Sequence, residues 1–313
     1  MEEIQLRRRC TLCPHACGVD RDRSRGFCGT GSGFEVASVT VHHGEEPVIS
    51  GTDGICNIFF SGCNLQCVYC QNYQISRNNN LIQTSILSLP ELIGRITVIL
   101  DQGIENIGFV SPSHMVPQVR SIIEELHRLG YFPIVVYNTN AYEKVETLRS
   151  LEGLVDVYLP DFKYMDESLA ARWSGVADYP SVACAAVKEM YRQKGNRLFF
   201  TDSGKLRSGM IVRHLVLPEA VASSIGVFMF LADELSNRLA VSLMAQYQPT
   251  KHVMGLPPLH RKITAAEYEQ VVTEVERLGF ENGWFQEYDS AEQYNPDFTL
   301  PSPFEVKNLS RFN

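Results

Sequence analysis

The sequence predicts an α/β protein whose strands form a parallel sheet, preceded by a cysteine-rich module. Three observations carry this. From about residue 56 onward, short β-branched or aromatic runs alternate with longer helical patterns, the order of consecutive βα units. Six candidate strands emerge, at 56–60, 106–110, 133–137, 155–159, 211–217 and 238–245; six is too few for a closed eight-stranded barrel and suits a partial (β/α)6 barrel. Residues 1–50 carry Gly and Cys without periodicity, which reads as a small metal-stapled module. The expected organisation is 1–50 for the cysteine-rich module, 51–287 for the partial barrel, and 288–313, rich in Pro, Asn and Ser, for a C-terminal extension running over the surface.

The helices between the strands have readable starts. Ser88 with Glu91, and Thr264 with Glu267, match the capping box, in which two side chains satisfy free amides at a helix N-terminus. Leu89, Leu92, Ile93, Ile96, Ile99 and Leu100 then trace one helix face, and Tyr268, Val271, Val272, Val275 and Leu278 another, as faces that cover a sheet do. Arg213 and His214 interrupt the apolar strand at 211–217. With both faces of a parallel sheet covered, one of them must point inward, and a buried arginine needs an anionic partner, either a ligand acid or a neighbouring Asp or Glu. His214 reads as a hydrogen-bonded core histidine.

Composition narrows the function classes. The 313 residues are 44% hydrophobic and 20% charged, enough for one large core, and the net charge of −8 leaves no basic footprint for broad nucleic-acid binding. The start, MEEIQLRRRC, has no apolar stretch of a signal peptide, and no run approaches a membrane span, so a cytoplasmic protein without a membrane partner is expected. The nine cysteines are odd in number and eight precede residue 71, a distribution that favours metal ligands over disulfides. Soft sulfur donors select iron–sulfur clusters or zinc. Cys184, alone in an apolar helical run, reads as core.

The most informative stretch is SGCNLQCVYCQNY, in which Cys63, Cys67 and Cys70 form CxxxCxxC. Three thiolates on a four-iron cluster leave one iron open, whereas a purely electron-carrying cluster is normally closed by four. The same spacing is i, i+4, i+7, and free cysteine packs well on a buried helix face. Gly62, Asn64, Gln66, Gln71 and Asn72 are polar or flexible, so the segment reads as a loop after a strand.

CxxxCxxC with an aromatic residue, Tyr69, before its last cysteine resembles the signature of the radical S-adenosylmethionine (SAM) superfamily. The wider set IFFSGCNLQCVYCQNYQIS, NTNAY, YLPDFKY and VRHLVLP is similar to the pyruvate formate-lyase activating-enzyme-like branch, over most of the chain. The resemblance implies a partial (β/α)6 radical SAM barrel, a [4Fe-4S] cluster held by Cys63, Cys67 and Cys70, SAM on the open iron, and reductive cleavage to a 5′-deoxyadenosyl radical that abstracts a hydrogen atom. It also implies a flavodoxin- or ferredoxin-type electron donor and, as partner, a glycyl-radical enzyme. Tyr69 is expected near the adenine.

Ligands of such barrels sit beyond the C-terminal strand ends. Asp161 and Lys163 stand there as DxK, their i, i+2 spacing aiming both to one side; Lys163 is expected to meet the SAM carboxylate, and a solvated ion pair is the alternative. Asn138, Thr139 and Asn140 close another strand, with Asn138 where activating enzymes commonly have an aspartate; a turn role is the alternative. The superfamily's Gly-Gly-Glu-like turn is missing, and Ser111 and Ser113 stand in its place with His114. Arg213 and Gln246 complete the expected SAM contacts; no catalytic residue is assigned.

Cys10, Cys13, Cys17 and Cys28 supply a second full set of soft ligands, for zinc or a second iron–sulfur cluster, with His15 or Cys56 as substitutes and metal-free thiols as the alternative. Three functions follow: a glycyl-radical activase, a radical SAM enzyme acting on a small molecule or peptide, or a non-enzymatic iron–sulfur or zinc protein.

Overall fold

The computed structural model describes residues 8–78, 85–288, 296–300 and 302–304. Its strands are β1 (Phe34–His42), β2 (Ile55–Phe60), β3 (Ser85–Leu87), β4 (Asn106–Val110), β5 (Ile134–Thr139), β6 (Val157–Pro160), β7 (Phe199–Phe200), β8 (Leu206–Leu215), β9 (Ala240–Met244) and β10 (Gly283–Phe285). They join in the order β10-β9-β8-β6-β5-β4-β2-β1-β3, with β7 hairpinned onto β8. The six predicted strands are β2, β4, β5, β6, β8 and β9, each parallel to its neighbour. Among the described strands the two ends, β3 and β10, do not pair, so the barrel is open.

Where the sheet extends beyond expectation, the cause is local. β1 runs antiparallel to β2 with a bulge between Val36 and Ser38. The bulge moves the apolar residues from Phe34 and Val36 to Val39 and Val41, one step out of phase, and so hides the period-two signal. The sheet therefore begins inside residues 1–50, which corrects the expectation of a separate module over that whole stretch. β3, β7 and β10 have only two or three residues each.

The outer face is covered by helices. Both predicted capping boxes form, at Leu89–Leu100 and Ala265–Arg277. Leu92, Ile93, Ile96, Ile99 and Leu100 are buried from the first, and Tyr268, Val271 and Val275 from the second; each full burial contributes roughly 1.5–3 kcal/mol. Cys56 packs in this outer core. Cys184 packs at its margin, and His214 donates to the Phe162 carbonyl (2.6 Å) and accepts from Ser224 (2.8 Å).

The barrel interior is layered. Ile55, Val136, Val157, Ile211 and Ala240 form an apolar floor closed by Ile49, from the short helix Pro47–Ser50. Two residues further along their strands, Asn57, Asn138, Arg213 and Ser242 form a polar layer. The C-terminal extension does not simply run over the surface: Phe298, 8% exposed, packs with Phe59, Ile75 and Val110, and its N–H donates to Gln74 Oε1 at 2.8 Å. The rest of that extension, 289–295, 301 and 305–313, lies outside the described residues. Among the described residues no helix is long and apolar enough to cross a membrane.

Candidate active site

β2 delivers the chain to the CxxxCxxC loop through Gly62, at φ +71°, where an added Cβ would lie 2.2 Å from the Cys28 carbonyl oxygen. Only glycine fits this turn. Beyond it the three sulfurs share one cleft, and each has a hydrogen-bond partner. Cys63 Sγ accepts from the Leu65 N–H (3.4 Å) and Asn140 Nδ2 (3.5 Å), Cys67 Sγ meets Ser174 Oγ at 3.0 Å, and Cys70 Sγ accepts from Ser76 Oγ at 3.3 Å. Burial pushes the Cys63 thiol up to about 12 and raises that of Cys67, with Lys163 working in the opposite direction. A metal binding there displaces these protons.

The cleft, of about 160 Å³, is lined also by Tyr69, Ser111, Asp161, Lys163, Arg213 and Gln246. The Tyr69 hydroxyl accepts from Tyr164 at 2.6 Å. Lys163 Nζ spends one hydrogen on Asp161 (3.2 Å), and an ammonium has three. Asp161 takes Arg213 Nε at 2.8 Å, and Arg213 reaches Glu45 at 2.8 Å and Asn138 at 3.2 Å. The Asp161–Lys163 pair is thus part of a half-buried network and not an isolated solvated ion pair. Burial works against charge on Asp161, but Arg213 and Lys163 outweigh it and hold the carboxyl below its usual range. Burial pushes the Glu46 carboxyl up, with Arg213 working in the opposite direction.

Two expected SAM contacts fall elsewhere. Ser113 is fully buried against Thr139 and Asn140 (3.3 and 3.5 Å) and does not line the cleft. Asn138 lies one layer below, on Arg213; an aspartate there would add a carboxylate beside Glu45. Asn140, two residues on and so on the same side of the strand, takes the place at the cleft and also binds Asn64 at 2.7 Å. Glu45 and Glu46, in a loop without periodicity, gave no sequence signal. Ser111 (φ +48°) and Ala141 (φ +62°) are strained left-handed residues just beyond β4 and β5, where strain clusters in functional sites.

Cys10, Cys13, Cys17 and Cys28 line a separate, small cavity. His15 is not among its lining residues: its Nε2 donates to the Asn64 carbonyl at 2.8 Å. Cys56 is in the outer core and joins neither site.

A model of the radical SAM superfamily matches residues 57–201, and the uncharacterised protein MJ0674 of Methanocaldococcus jannaschii is 31% identical over 276 residues, covering 87% of this chain and 75% of that protein. The chain belongs to the radical SAM superfamily. Radical SAM proteins use a [4Fe-4S] cluster and SAM, and membership supports a SAM-cleaving radical enzyme over a non-enzymatic metal protein. Among solved structures, the chain resembles Streptococcus suis SuiB bound to precursor peptide SuiA (TM-score 0.47, 13% identity, 72% of this chain and 46% of that one). It also resembles the FeFe-hydrogenase maturase HydG of Carboxydothermus hydrogenoformans (TM-score 0.49, 14% identity, 71% and 50%). The chain spans about half the length of these solved structures. The donor set in the cleft fits the radical SAM cofactors: three soft sulfurs, each hydrogen-bonded, beside an ammonium with free hydrogens.

Proposed function

We propose that this radical SAM chain takes a hydrogen atom from a glycine of a partner polypeptide, as a glycyl-radical activating enzyme does. The observation that carries the reading is the meeting, in one cleft, of the CxxxCxxC thiols with Asp161 and Lys163 of YLPDFKY and Asn140 of NTNAY, the segments that resemble the activating enzymes. A [4Fe-4S] cluster and SAM, held there, would supply the one-electron chemistry that splits SAM into methionine and a hydrogen-abstracting radical.

The chain's own residues bind and orient. Cys63, Cys67 and Cys70 would hold the cluster, and Lys163 would turn its free hydrogens to the SAM carboxylate while Asp161 and Arg213 fix its position. Tyr69, held by Tyr164, would stand near the adenine, and Ser111 and Gln246 would offer the remaining polar contacts. A flavodoxin- or ferredoxin-type protein delivers the electron.

In the test, reduced and reconstituted protein is given SAM together with a candidate glycyl-radical enzyme. The expected results are 5′-deoxyadenosine and the electron paramagnetic resonance (EPR) doublet of a glycyl radical, both lost in Cys67→Ala. Deoxyadenosine without the doublet turns the reading to a second one, a small molecule or peptide as substrate, which the additional four-cysteine cavity favours. Deuterium transfer from candidate substrates into deoxyadenosine then identifies it.

A further inference from the structure

The four N-terminal cysteines, CxxCxxxC followed by Cys28, line one space. Short backbone links draw them in: the Cys10 N–H donates to the Val19 carbonyl and the Gly18 N–H to the Cys10 carbonyl, both at 2.9 Å. Cys17 Sγ accepts from the Phe27 N–H at 3.3 Å, and Cys28 Sγ lies 3.1 Å from Thr30 Oγ1. An added Cβ at Gly26 would stand 3.2 Å from Cys17 Sγ, so the chain passes close against that sulfur.

Arg21 and His114 line the same cavity, and they are 5% and 2% exposed. Arg21 binds the His114 carbonyl (2.7 Å) and Thr30 (3.0 Å) through its terminal nitrogens, yet its buried Nε has no partner; neither has His114 Nδ1. An unpartnered N–H in a dry interior costs about 1–3 kcal/mol. A guanidinium beside thiols is suited to an anionic thiolate complex.

The geometry separates a cluster from zinc. Zinc draws its thiolates to roughly 2.3 Å from one point, a geometry that leaves no room between the sulfurs. The space between the four cysteines instead admits a water-sized sphere, which holds sulfurs at roughly 3 Å or more from its centre. Sulfurs standing around a hollow, each for its own iron, describe a cluster. We propose that Cys10, Cys13, Cys17 and Cys28 ligate a second four-iron cluster with a closed thiolate shell, to which Arg21 Nε donates. A closed shell leaves no iron for substrate and suits electron transfer.

The site adjoins the first one. The Cys28 carbonyl abuts Gly62, His114 Nε2 donates to the Ser61 carbonyl at 2.8 Å, and His15 holds the Asn64 carbonyl at 2.8 Å. The backbone of 61–64 is therefore a shared wall.

The proposal stands whichever hydrogen the enzyme abstracts. Its test is iron, acid-labile sulfide and zinc analysis of the anaerobically prepared full chain. About eight irons and eight sulfides are expected, falling to about four of each in the Cys63→Ser/Cys67→Ser/Cys70→Ser variant. That variant, once reduced, should give a cluster EPR signal unchanged by SAM. Zinc without iron in the variant, or no metal, overturns the proposal. If the variant does not fold, the unmodified chain decides: about four irons, with or without a zinc, overturn it. A missing SAM-sensitive signal in the unmodified chain would instead count against the proposed reaction and leave the iron count standing.

Discussion

The two cysteine sites meet across the backbone of 61–64, and they differ in what surrounds the sulfur. At Cys63, Cys67 and Cys70 the donors are hydroxyls and an amide from the barrel, and the sulfurs open onto a charged cleft. At Cys10, Cys13, Cys17 and Cys28 the small cavity is lined also by Val19, Leu12, Gly26, Arg21 and His114. Burial alone does not separate them, for it pushes both Cys63 and Cys13 up to about 12. The number of thiols and the size of the space do: three line a cleft of about 160 Å³ with room for a ligand, and four line a space of about 10 Å³.

The largest blow to the open site is expected from Arg213→Leu. It leaves the half-buried Asp161 and Glu45 without their shared cation, and breaking a fully buried pair costs about 3–5 kcal/mol, an upper bound here. Urea denaturation should show that loss, and SAM binding should weaken as Lys163 is drawn fully onto Asp161. Metal in the four-cysteine site, which none of these residues lines, should be retained; equal metal loss at both sites would break the contrast.

A second effect comes from the two buried histidines, which burial lowers from 6.5 to about 4. His214 has both ring nitrogens partnered on the outer face, while His114 has one free at the cavity. A depressed pKa means that the unfolded chain takes up protons first as pH falls. The stability His214 contributes is therefore full above pH 6.5 and lost on the way down to about 4, by about 3 kcal/mol. His214→Gln should flatten the stability slope across that window without altering SAM cleavage; a parallel loss of cleavage would place His214 in the site.

Much of this was legible in the chain. CxxxCxxC stands on one loop, so its three sulfurs meet whatever the barrel does, and parallel strands announce themselves by apolar runs at 106–110 and 155–159. Position in depth was not legible. Asn138 and Asn140 share a strand face, and only the fold decides that the first lies on Arg213 and the second at the cleft. Arg21 and His114 are 93 residues apart, so no spacing rule could join them to four cysteines. Glu45, before a proline in an aperiodic loop, becomes meaningful only because the helix Pro47–Ser50 plugs the barrel.

The last test concerns the shared wall itself. Gly62→Ala keeps every sulfur and every charge, but it puts a Cβ on a left-handed residue (φ +71°) and 2.2 Å from the Cys28 carbonyl oxygen. The backbone conformation alone costs about 1–3 kcal/mol, and the contact requires the Cys28 segment or the Cys63 loop to shift. Because the two segments touch there, the shift should be felt on both sides: lower urea midpoint, slower SAM cleavage, and a perturbed signal from each cluster. A change confined to the SAM-sensitive signal would mean that the N-terminal segment yields freely, and that the two sites are neighbours without being mechanically joined.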